Sequence, residues 1–547
     1  MQLPRPKLPP YDIAEWQKKP FAVRTKMACQ AWALQGYGTP GGVYAVYLFK
    51  ILFYVGTWLL FCSFSRVLGG PGAIGSWWSN PDALKRAVLW SMTFEVLGLG
   101  CGSGPLTGRY FPPVGGFLYF ARPGTTKLPL FAGLPLMGGH RRTVLDAGLY
   151  VAHIGFLVRA LVSPEITPEL LYPTAVILPV LGALDKTLFL ASRAEHYYTA
   201  LICFLFPTSM LAGSKLVWLA IWFWAATSKL NAHFPSVICV MTSNSPVLGW
   251  LRKRMYRSFP EDLRPSRLAG AMAHGGTFVE YCFPVLLAYG TGGTITLVAL
   301  VVMLGFHTYI TSNIPMAVPL EWNVLMVYGA FVLFGAHAQV RPWEIQSPAL
   351  IAYLVFALVA LPLAGNLFPR LVSFLLSMRY YAGNWAYGVW LFRGNSMDRL
   401  DKGLVKSAPL VQNQLKKFYD ETTTIALLSK VIAFRAMHLH GRALRELIPR
   451  AVPNIDEYTW LDGEIVCGVV IGWNFGDGHL HDEQLLRAVQ AQCHFEPGEL
   501  RCIFVEAQPM GQPDLAYRIV DAHDGQLAAG GIAVKDLVDK QPWPEIA

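Results

Sequence analysis

Long apolar runs separated by short polar or basic stretches dominate the first two thirds of the chain. They lie at about 43–64, 87–104, 144–163, 172–190, 197–212, 214–230, 268–289, 294–311, 323–338 and 348–365. A helix needs about 20 apolar residues for a full membrane crossing, so the pattern predicts about ten spans, several of them short. After Gly365 the pattern changes. The run 370–394 is aromatic with internal arginines and predicts an interfacial helix. From about 395 the chain is polar and mixed. Segments 409–419 and 422–448 read as helices, and 463–473 reads as a strand. HDEQLLRAVQAQC reads as a helix, and ELRCIFVEAQP and DLAYRIVDAHDG as paired strands. The expected fold is an all-α polytopic membrane helix bundle with a small C-terminal α+β soluble domain. Three regions follow: a basic amphipathic lead-in at 1–40, a helical membrane domain at 41–394, and an α+β domain at 395–547.

Composition supports the membrane reading. Of 547 residues, 53% are hydrophobic and 15% charged, against about 25% charged in soluble domains. The 17 Trp and 23 Tyr suit interfacial belts. The net charge of +10 sits in loops and shows none of the aromatic-interleaved basic surface that nucleic acid requires. Nine cysteines without C-x-x-C exclude a disulfide framework or zinc ribbon. The first apolar run begins near Val43, too late for a cleavable signal peptide. Basic clusters at 1–40, 105–143 and 250–267 fall on one side of a ten-span topology, which predicts cytoplasmic termini. The loop 105–143, rich in Gly, Pro and aromatics, is too long for an idle connection and is expected over a cavity or on the membrane surface.

Candidate chemistry concentrates between Leu184 and Asn231. Two apolar segments flank Gly213, and a hairpin turning there brings His196 and Lys229 to equal depth at one end, with Asp185 and Lys186. Ionisable groups at membrane depth are costly and point to function; the structural alternative is helix ends reaching the headgroups. A base at Lys229 is physically reasonable, because a desolvated ammonium near a second cation loses its proton more readily. Lys50 and Glu95 lie inside adjacent predicted spans and are expected to form a structural ion pair.

Four motifs resemble a known group. Asp185-Lys186-Thr187 followed by His196-Tyr197, Ala225 to Phe234 (AATSKLNAHF), Val279 to Leu287 (VEYCFPVLL) and Leu304 to Ile310 (LGFHTYI) occur in the order seen in the horizontally transferred transmembrane domain and vitamin-K-dependent gamma-carboxylase superfamily. The likeness covers about 140–330. It implies Lys229 as a base on a quinone-like or hydroquinone-like molecule, His196 as its helper, and Asp185, Lys186, Asn231, Glu280 and His307 as supporting groups of the pocket. Asn231 and Phe234 stand where that group has Asp and Trp. A second resemblance, carried by GYGTP, the PLTG…ARPGTTKLP loop and GGHRRTVLDAGLY, is to an uncharacterised bacterial family of multipass membrane proteins, and implies a bacterial inner-membrane location.

No metal is predicted. His438/His440 and His479/His481 form H-x-H pairs, of which His479 and His481 are the better candidates, but no full ligand set has standard spacing. Two function classes therefore stand. The first is a membrane enzyme abstracting a proton from a lipid-like or quinone-like substrate. The alternative is a multipass transporter or lipid-handling protein using the same charges. Membrane lipids and a hydrophobic small molecule are the expected partners.

Overall fold

The computed structural model describes residues 5–39, 41–100, 115–133, 138–313, 320–372, 382–474 and 478–544. Caps and prolines cut the apolar runs into helices. α1 spans Phe21–Gln35, α2 Gly41–Cys62 and α3 Pro81–Val96. α4 (Val144–Val162) opens on a reciprocal cap between Thr143 and Asp146. α5 (Pro168–Leu184) starts with proline in its first position, where no amide hydrogen is needed. It ends at Asp185, whose carboxylate instead caps α6 (Lys186–Ala191) by accepting from Thr187 N. α7 (Tyr197–Phe204), α8 (Met210–Ser228) and α9 (Phe234–Asn244) follow. A two-stranded hairpin, β1 (Tyr256–Ser258) and β2 (Asp262–Pro265), precedes α10 (Arg267–Tyr289), α11 (Gly293–Ser312), α12 (Leu320–Ala336) and α13 (Pro348–Leu367).

Among the described residues, five helices are long and apolar enough to cross a membrane: α2, α4, α8, α11 and α13. α5 and α12 are apolar but shorter. The ten crossings predicted from the sequence are thus not all matched by helices of crossing length. α10 is long enough at 23 residues but too polar, and the others are cut short. The turn of the α7–α8 hairpin shows why. It lies at 205–209, not at Gly213, because Pro207 cannot continue α7. Gly213 sits in the first turns of α8, against Cys203, where a Cβ would come within 2.9 Å of the sulfur. α7 has 8 residues and α8 has 19. At 1.5 Å per residue, His196 and Lys229 therefore lie roughly 12 and 28 Å from the turn, not at equal depth.

The C-terminal part comprises β3 (Tyr387–Arg393), α14 (Glu421–Met437), α15 (Leu439–Ala451), β4 (Tyr458–Asp462), α16 (Gly463–Ile471), α17 (Glu483–Cys493), β5 (Leu500–Val505), β6 (Asp514–Asp521) and β7 (Gly525–Ala533). The strands form one antiparallel sheet in the order β4-β3-β5-β6-β7. The expected pairing of the two strands around 500 and 514 is found as β5 and β6. Two expectations are corrected. Residues 387–393 form a buried inner strand instead of an interfacial helix, paired antiparallel with β4 on one side and β5 on the other; 373–381 lie outside the described residues. Residues 463–471 are a helix instead of a strand. Periodicity cannot separate the two for a short, fully buried apolar run, and Asp462 decides it by accepting from Glu464 N and Ile465 N.

The N-terminal segment packs on this C-terminal part. Trp32 of α1 lies 5.6 Å from Phe434 of α14 between ring centroids, Lys430 donates to the Tyr37 carbonyl at 2.7 Å, and Arg24 pairs with Asp456 at 2.6 Å. The described parts of the 105–143 loop tie the same domain to the helices. Lys127 pairs with Asp146 at 2.8 Å, Leu130 N donates to the Ala183 carbonyl at 3.0 Å, and Gln484 of α17 donates to the Pro129 carbonyl at 2.8 Å.

Candidate functional site

A cluster of buried polar groups is assembled where α7, α8, α10, α11 and α12 meet. His196 precedes α7, and its Nε2 accepts the indole N–H of Trp322 at 2.8 Å. Its Nδ1 lies 3.5 Å from the Glu195 carboxylate. His307, near the end of α11, accepts the indole N–H of Trp222 at Nε2 (3.1 Å) and sits 2.8 Å through Nδ1 from Asn323 Oδ1. Trp322 packs between the two imidazoles, 6.0 Å from His196 and 6.1 Å from His307. Each Nε2 thus receives a proton-bearing indole nitrogen. Its lone pair is occupied, and the hydrogen of the neutral ring belongs on Nδ1. In this arrangement neither histidine presents a free base.

Lys229, the C-cap of α8, forms a buried ion pair with Glu280 of α10. The rings of Phe234 and Phe306 flank its ammonium at 5.6 and 5.4 Å, a cation–π setting that adds to the carboxylate's attraction. Asn231 shapes the turn behind it. Its Oδ1 accepts from His233 N at 2.8 Å and Phe234 N at 3.1 Å, and its amide donates to the Ser228 carbonyl. Lys229 and His196 do not touch; the indoles and His307 lie between them.

The other residues singled out in the sequence go elsewhere. Asp185 pairs with the buried Arg142 and accepts from Leu128 N at 3.2 Å and Thr187 N at 3.1 Å, so it fastens the loop to the α5–α6 junction. Lys186 donates to the His479 carbonyl at 3.3 Å, a link to the C-terminal domain. Lys50 pairs with Glu321 at 3.0 Å and donates to the Gly100 carbonyl at 3.1 Å; Glu95 is buried on the other side of Gly100. One carboxylate that meets Lys50 is thus on α12, which the sequence pattern did not connect with it.

The histidines of the C-terminal domain are spread over separate contacts. His479 Nε2 lies 2.8 Å from Glu506, which also accepts from Arg518 at 3.0 Å. Burial raises the Glu506 carboxyl, but His479 and Arg518 outweigh it and hold the group down at about 2. His440 stacks 4.9 Å from His233 and 5.5 Å from Trp385, and His438 contacts the Phe434 carbonyl at 2.8 Å. Among the described residues no three His, Cys, Asp or Glu side chains gather as a metal-ligand set.

Sequence reasoning missed Glu321, Trp322 and Asn323. These consecutive residues open α12 and face Lys50, His196 and His307 in turn. The available signal was a polar trio at the head of an apolar run; starting that run at 323 left the first two outside it. Beside the cluster lies an apolar groove of about 790 Å³ between α8, α10 and α13, lined by Phe223, Trp224, Tyr281, Pro284, Leu354 and Leu358 among others. Its volume is that of a small-molecule site. Tyr281 is among the lining residues, and its hydroxyl donates to Thr227 at 2.7 Å. Tyr281 follows Glu280, and Thr227 precedes Lys229 by two residues.

A family model described as "transmembrane protein of unknown function" (DUF3556) matches residues 1–546, and the chain belongs to that family. No curated protein and no solved structure matches it. The likeness to the gamma-carboxylase group rests on the four short motifs alone.

Proposed function

We propose that this member of the transmembrane family is an integral-membrane enzyme that removes a proton from a lipid-like or quinone-like molecule, with Lys229 and Glu280 as the proton-transfer pair. The observation that carries the reading is this buried ion pair within the helix bundle, on the two helices, α8 and α10, that also line an apolar groove. In a water-poor site an ammonium–carboxylate pair interconverts with a neutral amine and acid by moving one proton. The neutral amine is then a base. Trp322 and Trp222, held by His196 and His307, would position the substrate's polar head. A substrate with an apolar tail would lie in the groove between Phe223, Tyr281 and Leu354 and enter from the lipid. The basic clusters support placing both termini on the cytoplasmic side of a bacterial inner membrane.

The test is mass spectrometry of total lipids and small metabolites from cells lacking the gene and from the same cells restored with it. A species present only with the gene, paired with a precursor that accumulates without it, supports the enzyme. Identical inventories with a changed distribution of one solute across the membrane would establish the transporter instead.

A further inference from the structure

The link between α9 and α10 carries a basic surface that the proton-transfer reading leaves unused. Residues Gly249–Met255 (GWLRKRM) form a 3₁₀ helix that runs into β1. It is held firmly from behind. Met255 is buried, and its carbonyl accepts from Ser266 N at 2.8 Å. Arg252 donates to the Ser245 carbonyl at 2.8 Å and to the Leu34 carbonyl, in the last turn of α1, at 3.1 Å. The outward residues are apolar and cationic together. Val247 is 66% and Trp250 67% exposed, and Lys253 and Arg254 are exposed beside them. Arg254 lies over the Trp250 ring at 5.8 Å and Lys253 over Phe259 at 5.5 Å. From Val247 to Phe259 the chain has four basic residues and no acidic one. The nearest acids in sequence, Glu261 and Asp262, are taken by Lys26 at 2.8 Å and Arg264 at 2.6 Å. Among the described residues Lys253 and Arg254 pair with no carboxylate. The depth of this surface follows from α2. Its 22 residues span roughly 33 Å, about the hydrocarbon thickness of a bilayer, so its first turn lies at one membrane boundary. Tyr44, in that turn, interacts electrostatically with Arg252, and Val46, Leu48 and Phe49 beyond it are exposed.

We propose that Trp250, Lys253 and Arg254 form a binding site for the headgroups of anionic phospholipids, with the indole at the top of the acyl chains and the two cations on the phosphates. An indole is amphipathic and settles at that level of a bilayer. A basic residue at an anionic membrane surface contributes about fivefold in affinity. The 3₁₀ helix is fixed by Arg252 and Met255 before any lipid arrives, so little ordering is lost on binding. A nucleic acid or an acidic protein would match the charge alone and leave Val247 and Trp250 bare in water. A lipid headgroup accounts for the apolar and the cationic residues together. The inference does not depend on the substrate or on the enzymatic reading.

The experiment is tryptophan fluorescence of the full-length protein in phosphatidylcholine nanodiscs. The discs contain a low mole fraction of either phosphatidylglycerol or phosphatidylcholine brominated near the top of the acyl chain, where bromine quenches a neighbouring indole. The difference between each protein and its Trp250→Phe counterpart isolates the Trp250 emission. In the wild type, brominated phosphatidylglycerol should quench Trp250 at least about fivefold more strongly than brominated phosphatidylcholine, the factor that one basic residue supplies. High salt should weaken this preference, because it screens exposed charges. In Lys253→Gln/Arg254→Gln the two lipids should quench equally. The proposal is overturned if both lipids quench wild-type Trp250 equally, if neither quenches it, or if the preference survives in the double variant.

Discussion

Breaking the Lys229–Glu280 pair from either side should destabilise the protein with opposite pH dependence. Lys229→Met strands the buried Glu280 carboxylate among apolar groups. Ionised and unpaired, it would cost several kcal/mol; the cheaper escape is to take up a proton. At pH 7 that costs about 1.36 kcal/mol for each unit between pH 7 and an ordinary carboxylate near 4.3, a ceiling of roughly 4 kcal/mol. Glu280→Gln strands the ammonium, and shedding its proton at pH 7 costs up to about 5 kcal/mol against an ordinary value near 10.4. The first penalty shrinks as pH falls, because solution protons become easier to capture. The second shrinks as pH rises. Each should change by about 1.4 kcal/mol per pH unit. The double variant Lys229→Met/Glu280→Gln strands no charge and should be flat with pH and less destabilised than the sum of the two. Equilibrium unfolding in lipid bicelles from pH 5.5 to 8.5 reads all three. Two single variants with equal, pH-independent losses that add in the double would refute a buried, water-excluded pair.

Other consequences follow from groups outside the helices of crossing length. Burial, opposed by the Arg435 guanidinium, lifts the Glu464 carboxyl from 4.5 to about 7. The folded protein therefore holds a proton that the unfolded chain has released, and stability should fall by on the order of 3 kcal/mol as pH rises from about 4.5 to 7, then level off; denaturant midpoints across that interval should go flat in Glu464→Gln. Burial pulls the Lys430 ammonium from 10.5 down to about 7. Here the folded state binds fewer protons, so docking of the N-terminal segment should strengthen from pH 7 toward 10. Limited proteolysis of residues 7–38 should slow over that range in the wild type and be pH-independent in Lys430→Met. Asp185→Asn leaves the buried Arg142 without its counter-charge and should cost about 3–5 kcal/mol, whereas Lys186→Met, which removes one hydrogen bond to the His479 carbonyl, should cost roughly 1 kcal/mol; the folded yield in mild detergent separates them.

Much of the membrane architecture was legible because apolar runs and intramembrane charges are rare enough to stand out. The ends of α10, α11 and α13 fall within a few residues of the predicted segments, and Asp185 does separate two helices. The pairing of Lys229 with Glu280, and the approach of His307 to Trp222, were not legible, since residues 50 or more positions apart meet only through helix packing. The equal depth inferred for His196 and Lys229 failed on a local detail. A count of residues around Gly213 ignores that Pro207 ends α7 early. In the C-terminal domain alternation showed at the start of β6, where exposed Asp514 and Ala516 flank buried Leu515, whereas β3, buried at all but its last position, reads as a continuous apolar run.

The central claim is that Lys229 carries a proton to or from a substrate, and one comparison addresses it most directly. Cells lacking the gene would be restored with wild type or with Lys229→Ala, matched for protein in the membrane, and their lipids and small metabolites compared by mass spectrometry. The account predicts that the product made with wild type is absent with Lys229→Ala while its precursor accumulates as in the empty cells. Full product formation by Lys229→Ala would contradict it.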